Sequence, residues 1–263
     1  MQAAGQIPES RSGSRYWPAG LIAELGTTGT GSGSDGSCRI FAISGPPGSG
    51  KTTLARDVAR ADGGAVAVVS LDDFYCDAAE RNELARRIHP WLSRRGVPGT
   101  HRLDRLVRVL SAIRAGQPVR WPAFDKTRDM PVENGRSWPG GTPRRILVEG
   151  WCLGCRTLSP GGDRPSTWLD YLNRAIIEYR RRLFWRFEGL WFLRAPDIHT
   201  VRAWRYEQEI RRVVPLSRLN RLQVNRLLEP MVPIIQDMLV RPPHPARVVE
   251  LDAYRRCRRL FGP

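Results

Sequence analysis

Residues 45–52 are the stretch of this chain whose residue types and spacing most directly indicate chemistry. They read Gly-Pro-Pro-Gly-Ser-Gly-Lys-Thr, which is the pattern G-x-x-x-x-G-K-T. The six residues before the loop, Arg39–Ser44, predict a buried strand, and residues 53–60 after it predict a helix. In this context the glycines let backbone N–H groups converge on phosphates at a helix N-terminus. We therefore predict that the loop binds the phosphates of a nucleotide.

The side chains that follow the glycines indicate how the nucleotide is held. Lys51 is expected to reach the β- and γ-phosphates, and the hydroxyl of Thr52 is expected to lie on Mg²⁺. No Asn/Thr-Lys-x-Asp pattern for guanine follows the loop, so the sequence lacks the pattern of a GTPase. The residues predicted to contact the nucleotide are Gly45, Pro46, Pro47, Gly48, Ser49, Gly50, Lys51, Thr52 and Thr53.

Acidic residues stand at the carboxyl ends of two further predicted strands, where open α/β sheets bind their ligands. Glu149 ends the strand at 145–149 and is the candidate second residue of the Mg²⁺ site, with a turn-capping role as the alternative. Asp72 follows the strand at 65–70 and is the candidate general base, with an Asx-turn as the alternative. Asp73 is expected to point the other way, towards substrate or helix N-termini. A carboxylate that accepts a hydroxyl proton indicates a kinase for an alcohol.

Two arginines on a predicted helix could supply positive charge to the transferring phosphoryl group. Arg202 and Arg205 are three residues apart and share a helix face, and Glu209 is placed to hold Arg205. The helix is then expected to act as a lid over the γ-phosphate. Because the chain is rich in arginine, ordinary surface arginines remain the alternative for either residue.

The charge of the chain is strongly positive, at +16 over 263 residues, but its composition argues against nucleic acid as the partner. Of the 42 Lys and Arg residues, 40 are arginine, and they are scattered rather than clustered. This pattern is typical of a coding bias, and the same field favours an anionic substrate. The two lysines, Lys51 and Lys126, are therefore candidates for positions that need a compact ammonium group. Lys126 and His101 also lie in irregular segments, where functional groups concentrate.

The rest of the chain predicts one catalytic domain. Residues Met1–Ser37 are rich in Gly, Ser and Thr and predict a flexible leader, in which an apolar piece from Tyr16 to Leu25 is expected to pack on the domain at 38–263. Five apolar runs alternate with helices, which predicts an α/β fold of the P-loop NTPase type. Its doubly wound, parallel, five-stranded sheet has helices on both faces and a helical lid. Residues 121–126 are predicted to be irregular, and a short basic helix is predicted after the last strand.

The remaining composition bears on the compartment. The chain has no apolar run of membrane-spanning length, and its five cysteines form no framework. A cytoplasmic protein is expected, and its oligomeric state stays open.

Six stretches between Cys38 and Arg256 form a more specific pattern than the phosphate loop alone. They are Gly45–Leu54, Ser70–Tyr75, Arg95–His101, Pro122–Lys126, Val148–Gly154 and Trp204–Glu209. Three motifs within them are distinctive, namely Gly-Thr-His, Phe-Asp-Lys and Glu-Gly-Trp-Cys-Leu-Gly. Together the stretches resemble the D-glycerate 3-kinase family, whose relatives include uridine kinase, phosphoribulokinase and bacterial pantothenate kinase.

The resemblance implies ATP-dependent phosphorylation of a small hydroxy acid, most directly D-glycerate. The superfamily's base falls on Asp72 and its Mg²⁺-site glutamate on Glu149. Contacts to the acceptor are expected from Asp73, Tyr75, Thr100, His101, Asp125, Lys126 and Trp151. Two departures bear on the substrate: Arg102 follows Gly-Thr-His where the family has Asp, and Leu216-Ser217-Arg218 and Leu227-Leu228 replace a Met-Ser-Asp segment and an aromatic stripe.

Two other functions remain open from the sequence. One is a P-loop kinase for another acceptor, of the uridine, pantothenate or sugar-phosphate type. The other is a nucleotide-dependent protein that does not transfer phosphate and instead binds nucleic acid or has a regulatory role.

Overall fold

A six-stranded sheet organises the domain. The structure is a computed structural model, and it describes residues 17–27, 38–159, 167–210 and 220–262. The strands are β1 (Arg39–Ser44), β2 (Val66–Ser70), β3 (Val119–Asp125), β4 (Met130–Trp138), β5 (Arg145–Glu149), β6 (Gly189–Arg194), β7 (Arg247–Leu251) and β8 (Cys257–Phe261). The main sheet has the order β2-β5-β1-β6-β7-β8, and β3 and β4 form a separate two-stranded hairpin.

Eight helices surround the sheet within the described part of the chain. They are α1 (Ala19–Thr27), α2 (Lys51–Ala61), α3 (Ala78–Arg87), α4 (Leu103–Arg114), α5 (Thr167–Arg182), α6 (Ile198–Ile210), α7 (Arg221–Leu228) and α8 (Val232–Val240). Short 3₁₀ turns at Leu71–Phe74, Pro90–Ser93, Phe184–Arg186 and Glu229–Met231 connect some of them. None of the described helices has the length and apolar character needed to cross a membrane.

The predicted α/β fold is confirmed, and the sheet is larger than expected. The five apolar runs form β1, β2, β5, β6 and β7, which all pair in parallel. The predicted terminal basic helix is wrong, because Cys257–Phe261 adds to β7 as an antiparallel edge strand. An edge strand tolerates the charges of Arg258 and Arg259, since only one of its sides is paired.

Residues 121–125 are also not irregular, and only Lys126 lies in a turn. They belong to β3, which pairs with β4 in antiparallel register and carries a register shift between Trp121 and Ala123. Pro122 lies at this shift, where a residue without a backbone N–H is tolerated. The hairpin brings the Phe-Asp-Lys motif to the carboxyl edge of the sheet.

The centre of the sheet is covered on both faces. Every residue of β5 is buried, and so are all residues of β1 except Arg39. A strand whose successive side chains are all buried must have apolar layers on both sides. The loops that follow these two strands are therefore fixed by a rigid core, and these loops are the phosphate loop and the segment after Glu149.

The apolar piece within the predicted leader forms a helix that packs on the domain. Helix α1 packs on α2, with Trp17, Leu21 and Leu25 buried in the core. A Cβ placed on Gly50 would lie 2.9 Å from the Trp17 ring, and Arg145 donates to the carbonyl of Leu25 at 2.8 Å. The apolar piece that was expected to pack on the domain does so within residues 17–27, while the rest of residues 1–37 lies outside the described residues.

Removing the side chain of Leu21 tests this packing. Leu21 is fully buried, so Leu21→Ala should lower the free energy of unfolding by about 2–5 kcal/mol. Leu222→Ala is the control, because Leu222 is 58% exposed, and its effect should stay within about 0.5 kcal/mol. Urea denaturation measures both. Equal effects in the two variants would mean that α1 does not pack on the domain.

Candidate active site

The phosphate loop lies between β1 and α2 in a conformation that depends on its glycines. Gly45, Gly48 and Gly50 have φ angles of 148°, 84° and 92°, which residues with a side chain rarely adopt. At Gly48 a Cβ would also lie only 2.6 Å from the Cβ of Trp204 on α6. Arg255 donates to the Gly48 carbonyl at 2.7 Å and fixes the loop from the other side. The loop is therefore packed between α6 and the turn before β8.

Two buried polar groups of this loop indicate that it is shaped for a ligand. Lys51 is 8% exposed, and its ammonium donates to the Pro46 carbonyl at 3.0 Å. Burial lowers the pKa of Lys51, although the nearby charge of Glu149 opposes this shift. The hydroxyl of Ser49 is buried and has no hydrogen-bond partner among the described residues. A buried ammonium and an unpaired hydroxyl beside a helix N-terminus fit the phosphates of a nucleotide.

Glu149 connects three elements at the base of the site. It is 4% exposed, and Oε1 accepts hydrogen bonds from the Thr52 hydroxyl at 3.0 Å and from the Ser70 hydroxyl at 2.6 Å. Burial and the charge of Asp72 raise the pKa of Glu149. The Thr52 hydroxyl and the Glu149 carboxylate are hard-oxygen ligands of the type that Mg²⁺ prefers. The predicted pairing of Thr52 with Glu149 is thus present in the geometry.

Asp72 lines the same cleft as Lys51, and both of its carboxylate oxygens accept hydrogen bonds. Oδ1 accepts from the Tyr75 hydroxyl at 2.6 Å, and Oδ2 accepts from the Lys126 ammonium at 2.6 Å. Burial alone would raise the pKa of Asp72. The charge of Lys126 and the two hydrogen bonds outweigh burial and hold the pKa well below its ordinary value. Asp72 is therefore ionised at neutral pH.

These residues line one cleft at the carboxyl edge of the sheet. Both lysines of the chain, Lys51 and Lys126, line this cleft. The sequence had marked them as candidates for positions that need a compact ammonium group. The predicted site residues that line the cleft are Pro47, Gly48, Lys51, Thr52, Asp72, Tyr75, Lys126, Glu149, Trp151 and Arg205.

The structure uses two predicted acceptor contacts, Asp73 and Asp125, to hold the hairpin instead. Asp73 is buried, and it accepts from the backbone N–H of Phe124 at 3.3 Å and from Arg136 at 3.4 Å. Asp125 accepts from the backbone N–H groups of Thr127 and Arg128, which closes the hairpin turn. Neither carboxylate lines the cleft, so both orient the hairpin that carries Lys126.

His101 and Thr100 lie behind the cleft wall. Thr100 is fully buried, and its hydroxyl donates to the Val97 carbonyl at 2.7 Å. His101 is 6% exposed; its Nδ1 is hydrogen-bonded to the Tyr179 hydroxyl, and its ring lies 4.5 Å from that of Tyr75. Its backbone also forms an antiparallel bridge with Tyr75. His101 thus supports Tyr75, which in turn holds Asp72.

Helix α6 is the predicted lid, and its Arg205 lines the cleft. Glu209 holds Arg205 through an ion pair of 2.7 Å, as the spacing of the two residues predicted. Arg202 does not line the cleft, and its Nε is buried without a hydrogen-bond partner among the described residues. Asp197 begins the helix by accepting from the Thr200 backbone N–H at 2.7 Å.

The two departures from the family pattern have different locations. Arg102 lies away from the cleft, where it pairs with Asp77 at 3.0 Å and with Glu80. Leu227 and Leu228 line the cleft, whereas residues 216–218 lie outside the described residues. The second departure therefore bears directly on what the cleft accepts.

Sequence reasoning did not single out four other residues that line the cleft, namely Arg95, Gly96, Gln208 and Met231. Arg95 and Gly96 were visible only as part of the stretch before Gly-Thr-His. Nothing distinguished Arg95 from the other arginines of the chain.

Solved structures share this architecture. D-glycerate 3-kinase from Cryptococcus neoformans aligns with a TM-score of 0.75 at 20% identity, covering 92% of this chain and 97% of that one. The YGR205w protein aligns with a TM-score of 0.68 at 22% identity, covering 92% and 94%. Neither the family models nor the curated proteins gave a match to the sequence. The chain therefore has the fold of the P-loop kinases, and the resemblance is confirmed at the level of the fold.

The buried histidine predicts a pH dependence of stability. Burial lowers the pKa of His101 from 6.5 to about 4. Between these two values the unfolded chain binds a proton that the folded chain does not. The free energy of unfolding should therefore fall as the pH is lowered through this window, by up to about 1.4 kcal/mol per pH unit.

Urea denaturation between pH 4 and 7 checks this expectation. The contribution should disappear in His101→Gln, and it should persist in His199→Gln, because His199 is exposed. If His101→Gln keeps the pH dependence of the unmodified protein, His101 does not titrate as its burial predicts.

Proposed function

We propose that this protein transfers the γ-phosphate of ATP to a hydroxyl group of a small hydroxy acid, with D-glycerate as the favoured acceptor. One observation carries the proposal. The Asp72 carboxylate, ionised and fixed by Tyr75 and Lys126, lines the same cleft as the phosphate-loop residues Lys51 and Thr52. A base and a nucleotide site that share one cleft are what phosphotransfer to an alcohol requires.

The donor half of the cleft is assigned to ATP and Mg²⁺. The loop's backbone N–H groups and Lys51 would hold the phosphates, while Thr52 and Glu149 would hold the metal. When bound, Mg²⁺ neutralises charge on the β- and γ-phosphates. Arg205 faces the same half from α6 and stabilises the equatorial oxygens of the transferring group, with Glu209 keeping its guanidinium in place.

The acceptor half is assigned to Asp72 and its partners. Asp72 orients the acceptor hydroxyl and receives its proton as the new P–O bond forms. The depressed pKa of Asp72 keeps it ionised and able to accept that hydrogen bond, although it makes Asp72 a weak base. Its main contribution is then positioning, which suits a transition state in which proton transfer comes late.

Acceptor identity is tested by measuring ADP release with D-glycerate, uridine, ribulose 5-phosphate, pantothenate and no acceptor. The proposal expects a rate above background with D-glycerate. A rate with another acceptor alone would retain the kinase and refute the hydroxy acid. Affinity for DNA that falls steeply with salt, without any acceptor-dependent ADP release, would favour the nucleic-acid-binding alternative.

The role of Asp72 is tested by Asp72→Asn, which removes the charge and keeps the shape. Turnover should fall about 10²–10⁴-fold, while ATP binding measured by calorimetry should be retained. Asp170→Asn, at an exposed position on α5, is the control and should leave turnover unchanged. Undiminished turnover in Asp72→Asn would remove Asp72 from the mechanism.

A further inference from the structure

Arg95 is a cleft residue whose position is fixed by the β3–β4 hairpin. Its Nη1 donates to Oδ1 of Asp129 at 2.6 Å, and the other oxygen of Asp129 accepts from Arg81, whose side chain is 1% exposed. The two guanidinium groups also lie 5.9 and 6.0 Å from the centroid of the Phe124 ring. Contacts within the protein therefore hold the side chain of Arg95 in one position.

One carboxylate serves two guanidinium groups here, so the cluster keeps one positive charge in surplus. The side chain of Arg95 is 18% exposed and lines the cleft. Among the described residues, only its Nη1 has a hydrogen-bond partner. Partly buried guanidinium donors that face a cleft form strong, directional hydrogen bonds to an anion such as a carboxylate.

The other cations of the cleft have different partners. Lys51 belongs to the phosphate loop, Lys126 is bound to Asp72 at 2.6 Å, and Arg205 is bound to Glu209 at 2.7 Å. The carboxylate of the acceptor thus has a better partner in Arg95 than in Lys126, which was expected to contact the acceptor.

Arg95 and Asp72 line the same cleft, and the backbone that follows Arg95 lies beside the hydrogen-bond partner of Asp72. Gly96, the next residue, lies against Tyr75, since a Cβ placed on it would be 3.8 Å from the Tyr75 hydroxyl. That hydroxyl donates to Asp72 at 2.6 Å. Met231 closes the space beside Gly96, where the same Cβ would lie 3.3 Å from its sulfur.

The cleft wall formed by the end of α7 and the 3₁₀ turn after it is apolar. It consists of Leu227, Leu228 and Met231, and the indole N–H of Trp151 is already used by the Gly96 carbonyl at 2.8 Å. A base or a sugar with several hydroxyl groups would leave its polar atoms unpaired against this wall.

We propose that Arg95, oriented by Asp129, binds the carboxylate of the acceptor, and that the apolar wall restricts the acceptor to short hydroxy acids. This inference rests on the proposed function and names the residue that selects its substrate class.

The test compares an acid with its neutral counterpart in ADP-release kinetics, using D-glycerate and glycerol. Arg95→Gln should lower kcat/KM for D-glycerate by about 10- to 100-fold, mainly through KM, because a charge-assisted hydrogen bond is lost. Its kcat/KM for glycerol and its KM for ATP should change less than about threefold. Arg120→Gln is the control, because this arginine is exposed on β3 of the same hairpin and lies outside the cleft.

Two further variants separate binding from folding. Asp129→Asn should raise KM for D-glycerate less than Arg95→Gln does, and the double variant should be no worse than Arg95→Gln, since Asp129 acts through Arg95. Arg95→Lys keeps the charge and should recover part of the loss, and it also serves as the test if Arg95→Gln does not fold.

The outcomes distinguish this inference from the proposed function. If the unmodified protein phosphorylates D-glycerate and Arg95→Gln keeps the same kcat/KM for it, the inference is overturned and the proposed function stands. If the unmodified protein phosphorylates no hydroxy acid, the proposed function fails, and the inference fails with it.

Discussion

The buried carboxylate of Glu149 is the constraint on which the arrangement of the cleft depends. A charge so far from water needs partners, and it finds them in the hydroxyls of Thr52 and Ser70. These come from the first turn of α2 and the end of β2, so one carboxylate ties together three neighbouring elements. Asp72 lies close enough to raise the pKa of Glu149, and burial lowers the pKa of Lys51. The Glu149 carboxylate and the Thr52 hydroxyl are hard-oxygen ligands of the kind that Mg²⁺ prefers.

The β3–β4 hairpin builds the other half of the cleft by presenting charges that the sheet does not provide. It carries Lys126 to Asp72, and it carries Asp129 to Arg95. Asp73 fastens the hairpin to the end of β2, directly beside the proposed base. The adjacent aspartates thus have separate tasks, one in the cleft and one beneath it. This division explains why a pair of acidic residues follows a single strand.

The parallel strands were predictable because apolar runs of five or six residues allow few other structures in a chain of this size. The phosphate loop, Asp72 and Glu149 were predictable because they stand at the ends of those strands. The hairpin was not, since most of β4 is exposed and polar and its turn contains no glycine. Arg95 was hidden among 40 arginines. Only the structure separates Arg95 from the other arginines, because it shows that Arg95 pairs with Asp129 and lines the cleft.

Phosphorus NMR of a reaction mixture with ATP, Mg²⁺ and D-glycerate tests the central claim most directly, because it distinguishes transfer of the phosphoryl group to an alcohol from transfer to water. The account predicts that the γ-phosphate signal of ATP disappears as a phosphomonoester signal and the signals of ADP grow in equal amounts. Growth of inorganic phosphate alone would show transfer to water, and it would contradict the assignment of Asp72 and Arg95 to an acceptor.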